Sequence, residues 1–126
     1  MNEWTIRVFV DENRRSDFLQ WRAELPPKVR ARMHAIITYM KGRKDWTQTP
    51  YFTPLKGYTG IGEIKFTVQD IQYRPLGCYG PKEGQYTLLV GAKEKGDEFV
   101  PKSAPDIAVK RRELVLKDER YTYDYY

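Results

Sequence analysis

Between Gly62 and Lys95 apolar and polar residues alternate with a period of two, and the period resumes after each of two turn signals. In GEIKFTV, Ile64, Phe66 and Val68 alternate with Glu63, Lys65 and Thr67; in QYTLLVGAKEK, Tyr86, Leu88, Val90 and Ala92 alternate with Thr87, Leu89, Gly91 and Lys93. Successive strand residues project to opposite faces, so this spacing predicts three antiparallel strands with one apolar and one polar face. The middle strand is DIQYRPLGCYG; Gln69-Asp70 and Gly80-Pro81-Lys82-Glu83-Gly84 are short enough to be the hairpin turns. Lys65, Arg74, Lys93 and Lys95 are expected on the polar face.

Upstream, WTIRVFV predicts a strand that joins this sheet. A helix capped by Asn13 or Ser16 would carry Phe18, Trp21 and Leu25 on one face and stop at Pro26-Pro27, because the residue before a proline is pushed out of the α region. A second helix, from Pro27 to Gly42, has Val29, Met33, Ile36, Ile37 and Met40 at helical spacing. Residues 42–60, with Trp46, Tyr51 and Phe52, keep no period and read as a long functional or mobile loop. Gly96 to Lys102 reads as another loop. A third helix starts at Ser103, runs to about Glu119 and buries Ile107, Ala108, Leu114 and Val115. The tail YTYDYY fits no pattern. The whole, residues 1–126, is expected to be one α+β domain of order β-α-α-β-β-β-α, its helical hairpin packed on a small antiparallel sheet.

Composition narrows the function. No apolar run reaches the length of a membrane span, and the single Cys78 has no internal partner, which points to the cytoplasm. The net charge of +5 favours a polyanionic partner. From Arg14 to Lys44 there are nine Lys/Arg against Asp17 and Glu24, a net of +7, which makes Arg30, Arg32, Arg43 and Lys44 candidates for phosphate contacts. His34 alone cannot build a metal site, and no Cys/His/Asp/Glu group has ligand spacing, so neither metal nor other cofactor is expected. Cations on a sheet beside aromatics could hold an RNA phosphate, and cleavage without a metal would use the RNA 2′-hydroxyl as nucleophile. A plain basic binding surface fits the same residues.

The segments LKG, GIGEIKF, IQYRPLGCYG, QYTLLVGAKEKG and PDIAVKRREL, in that order from Leu55 to Leu114, resemble the RelE/HigB side of the RelE/ParE toxin superfamily. The resemblance implies the toxin of a type II toxin-antitoxin pair, with a helix-turn-helix antitoxin, the ribosome and mRNA as partners and ribosome-dependent mRNA cleavage as activity. It implies that Arg74 contacts the scissile phosphate, that Lys65, Lys93 and Lys95 are the accompanying cations, and that Tyr121 or Tyr123 takes the place of a C-terminal tyrosine or histidine. Pro75 after Arg74 and Glu94 between the lysines depart from the family pattern. A ParE-like gyrase inhibitor and a phage-derived module that binds without cutting remain as alternatives.

Overall fold

The computed structural model describes residues 3–126. β1 (Thr5–Phe9) sends Ile6 and Val8 into the core. α1 (Asp17–Glu24) starts at Ser16, whose Oγ accepts the Leu19 N–H at 3.1 Å; a cap of this kind contributes about 1 kcal/mol. Pro26-Pro27 ends α1, and α2 (Pro27–Lys41) buries Val29, Met33, Ile36, Ile37 and Met40, as the spacing predicts. The hairpin covers one sheet face, where Ile6, Val8, Ile64, Tyr86 and Leu88 join its stripe.

Each long predicted strand is present but broken in the middle, and the breaks align. Lys65 separates β3 (Gly62–Ile64) from β4 (Phe66–Val68), Arg74-Pro75 separates β5 (Ile71–Tyr73) from β6 (Leu76–Tyr79), and Gly91-Ala92 separates β7 (Gln85–Val90) from β8 (Lys93–Lys95). One set of halves joins β1, β2 (Phe52–Pro54) and β10 (Thr122–Asp124) in a six-stranded sheet of order β10-β1-β7-β6-β3-β2; the other joins β9 (Glu98–Val100) in a four-stranded sheet of order β4-β5-β8-β9. Two residues explain the break: Pro75 has no N–H to donate, and Gly91 lets the Trp21 ring lie where any Cβ would stand. The sheet is mixed and not purely antiparallel, since β1 runs parallel to β7 with Ile6 opposite Tyr86 and Val8 opposite Leu88.

Four stretches differ from expectation. Residues 42–60 contain a 3-10 turn (Trp46–Gln48) and β2 (Phe52–Pro54), which pairs with β3. Trp46 and Phe52 are buried there; the Trp46 Nε1–H donates to the Met40 carbonyl at 2.8 Å. A glycine pair makes room beneath: Gly62 faces Gly77 across β3 and β6, the Phe52 ring fills the space a Cβ at Gly62 would take, and the Tyr86 ring fills the space at Gly77. The segment after β8 holds β9 (Glu98–Val100). α3 (Ala104–Lys117) ends two residues before the predicted Glu119 and covers the second sheet face, packing Ala104, Ala108 and Val115 on Phe9, Leu76, Cys78 and Leu89. Leu114 lies on its exposed side, and Ser103 makes no side-chain cap. The tyrosine-rich tail supplies β10 (Thr122–Asp124), antiparallel to β1, and the buried Tyr125. No helix among the described residues is long and apolar enough to cross a membrane.

Candidate functional site

Arg74 is fixed from three sides where the strands break. Its Nε–H donates to Glu63 Oε2 at 2.7 Å, a second guanidinium nitrogen to Glu94 Oε1 at 3.0 Å, and its Cζ lies 3.9 Å from the centre of the Phe99 ring. The Glu63 side chain is 5 % exposed and the Arg74 side chain 15 %. Gln72, with its amide turned to donate, reaches both Glu94 oxygens at 3.2 and 3.1 Å. Arg74 is thus the centre of a satisfied ionic network stacked on an aromatic ring. A phosphate at Arg74 would compete with the Glu63 and Glu94 carboxylates for its guanidinium.

Register divides the predicted cations between two faces. Phe66 stands opposite Tyr73, Tyr73 opposite Lys93 and Lys93 opposite Val100, so these four share one face. Glu94 and Phe99 share the other, and their contacts with Arg74 place it there too. Lys65, next to Phe66 in the chain, projects to the Arg74 side. The single basic face expected from alternation is therefore two: Lys65 and Arg74 on one, Lys93 and Lys95 on the other. Both β8 lysines are exposed, and among the described residues neither forms an ion pair.

The two tyrosines are not gathered with them. Tyr121 stacks on Phe9 with ring centres 6.1 Å apart, and Tyr123 lies on β10, the edge strand farthest from β3 and β2 in the six-stranded order, with Arg14 over its ring at 5.7 Å.

The basic hairpin divides as well. Arg30 donates to the Ala23 and Leu25 carbonyls at 3.1 and 2.7 Å and so closes the C-terminal end of α1; its guanidinium is committed to the fold. Arg32, Arg43 and Lys44 are exposed. Arg32 lies 5.6 Å over Tyr51 and Arg43 5.5 Å over Tyr39, while Tyr39 and Tyr51 meet edge to face at 5.9 Å. His34 is exposed with Tyr126 against its ring at 5.6 Å. Cys78 is buried, and burial pushes its thiol up to about 12, the condition of a packing residue. Among the described residues no three His, Cys, Asp or Glu side chains group as metal ligands.

Glu63 and Tyr39 belong to these sites and were given no role from sequence, while Glu94 was noted only as a departure from the family pattern and Tyr51 only as a loop aromatic. Glu63 has the same parity as Lys65, and Tyr39 stands seven residues after Arg32 on one helix stripe; those are the signals the chain offers. No curated protein and no solved structure matches the chain. The model of one family, phage-derived Gp49-like proteins (DUF891), matches residues 20–113, from α1 through most of α3, and the chain belongs to that family.

Proposed function

We propose that the protein is the toxin of a type II toxin-antitoxin pair that acts in the cytoplasm on translating ribosomes and cuts mRNA through the RNA's own 2′-hydroxyl. Its family is associated with RelE-like toxins. The observation that carries the reading is the pair Lys93 and Lys95, exposed together on β8 while Glu94 between them is drawn to the opposite face by Arg74. Glu98, opposite Lys95 on β9, pairs with Lys102, and the two β8 lysines keep exposed positive charge that a phosphate can approach. In the reaction the 2′-oxygen bonds to phosphorus as it loses its proton, the bond to the 5′-oxygen breaks, and that oxygen takes up a proton. The lysines would stabilise negative charge that grows on the phosphoryl oxygens. A small helix-turn-helix antitoxin is the expected partner.

A second reading, a relative that binds without cutting, is favoured by one observation: Glu63 and Glu94 hold Arg74, and it faces away from the lysines. Inducible expression decides between them. The first reading expects growth arrest, mRNA fragments ending in 2′,3′-cyclic phosphate, resistance of a message with a 2′-deoxy nucleotide at the cut site, and loss of arrest in Lys93→Ala/Lys95→Ala at normal protein levels. Arrest without new mRNA ends would turn attention to another target, gyrase included; free 3′-hydroxyl ends would overturn the 2′-hydroxyl chemistry.

A further inference from the structure

Most arginines of this protein are engaged internally. Arg7 pairs with Asp124, Arg74 with Glu63 and Glu94, Arg111 with Asp17 and Arg120 with Asp118, while Arg22 and Arg30 donate to backbone carbonyls. Arg32 and Arg43 differ: among the described residues their guanidinium groups meet neither a carboxylate nor a backbone carbonyl, and each lies over a tyrosine, whereas Arg14 and Arg22, also over tyrosines, donate to the Arg120 and Tyr125 carbonyls. The four side chains form one continuous row, Arg32 to Tyr51 to Tyr39 to Arg43, along the solvent side of α2. Beside the row a cleft of about 360 Å³, lined by Arg32, Ala35, Ile36, Tyr39, Pro50 and Tyr51, contains no acidic residue.

We propose that this row is a docking site for single-stranded RNA, in which Arg32 and Arg43 hold phosphates and Tyr39 stacks an unpaired base. The choice of RNA rests on the function proposed above; the choice of a single strand rests on geometry. Tyr39 is 45 % exposed beside its contacts with Arg43 and Tyr51, so part of the ring is accessible to a base, and stacking on an aromatic ring tolerates any base. The helical part of the row, Arg32 to Tyr39, is about 10 Å long at a rise of about 1.5 Å per residue, whereas a duplex repeats its groove only every ~34 Å. Duplex bases are also stacked on one another and closed to an intercalating tyrosine at this flat surface. Charge alone would suit any polyanion; the edge-to-face tyrosine pair between the two cations is what selects an unpaired strand. Cation-over-ring contacts hold the guanidinium planes in position before the strand arrives.

The test measures binding of the whole protein to a short fluorescein-labelled oligoadenylate by anisotropy over a salt series. Tyr39→Ala should weaken binding by about 5- to 150-fold, the range of one lost base stack, and Tyr39→Phe should bind as the parent does. Arg32→Gln/Arg43→Gln should lower the slope of log affinity against log salt by about 1.4, two phosphates on a single strand. Parent-like binding by Tyr39→Ala, equal affinity for duplex RNA, or displacement by polyglutamate as readily as by unlabelled RNA would each overturn the site. A parent that arrests growth while Tyr39→Ala binds normally sinks the docking site alone; a parent that binds through Tyr39 but neither arrests growth nor cuts RNA sinks the nuclease alone.

Discussion

Removing the Arg74 guanidinium would leave the nearly buried Glu63 carboxylate without its ion-pair partner. Uncompensated buried charge is costly, so Arg74→Ala should lower unfolding free energy by about 3 kcal/mol, whereas Lys93→Ala, on an exposed position, should stay within ~0.5 kcal/mol. Denaturant melts of both variants check this, and a Glu63→Gln/Arg74→Gln double variant should recover much of the loss. Loss of toxicity in Arg74→Ala would then report on folding as much as on chemistry. The alternation of GEIKF identifies Glu63 as facing with Lys65, but it does not say that the fold closes over that face. Nor does it say that Glu63 meets an arginine eleven residues on, because a strand's period fixes parity and leaves burial to whatever covers the sheet. The reading of Arg74 as an exposed polar-face residue failed for that reason.

At the level of elements, short-range signals were sufficient for α1 and α2, whereas α3 stops at Lys117, leaves Leu114 exposed and takes no cap from the Ser103 side chain. Ser16, Pro26-Pro27 and Gly42 delimit α1 and α2 as their backbone preferences require, and the α2 stripe is buried at all five predicted positions. The strands were legible in place and pairing but not in continuity. Pro75 and Gly91 are visible in the chain, yet their alignment with Lys65 depends on register across three strands. The short strands β2, β9 and β10 have three residues each and show no period long enough to detect. One consequence separates two neighbours on α2. Arg30→Ala removes a charged donor from the end of α1 and should cost about 1 to 2 kcal/mol, while Arg32→Ala should cost within ~0.5 kcal/mol yet weaken RNA binding. Chemical unfolding and cosedimentation with ribosomes, run on both variants, should give opposite orders of effect. Gly91→Ala should also destabilise, by about 1 to 3 kcal/mol, since its methyl group would overlap the Trp21 ring.

For the whole molecule, burial of ionisable groups sets an alkaline limit. Burial pushes the Cys78 thiol from 9.0 up to about 12 and raises the hydroxyl of the fully buried Tyr86; Tyr79 and Tyr125 shift upward as well. In the unfolded chain these groups lose their protons at lower pH than in the folded one, so the native state binds more protons and stability falls as pH rises. For Cys78 the contribution is fully present below about 9 and is lost at about 1.4 kcal/mol per pH unit up to about 12. Cys78→Ala should flatten the dependence of the denaturation midpoint on pH over that window by one proton, and an unchanged slope would mean the thiol is not sheltered. The same core should keep Cys78 unreactive toward thiol reagents at neutral pH until the protein unfolds. The placement of β1 has a consequence of another kind. Its two neighbours are β7, with Thr5 opposite Gln85, and β10, with Arg7 opposite Asp124. β1 therefore waits unpaired until residue 85 and beyond have been translated, and contacts of very large sequence separation must close before the six-stranded sheet is complete. Pulse-chase proteolysis of stalled nascent chains should find the segment before residue 85 open to cleavage, with protection arriving only after β7 and then β10 have emerged.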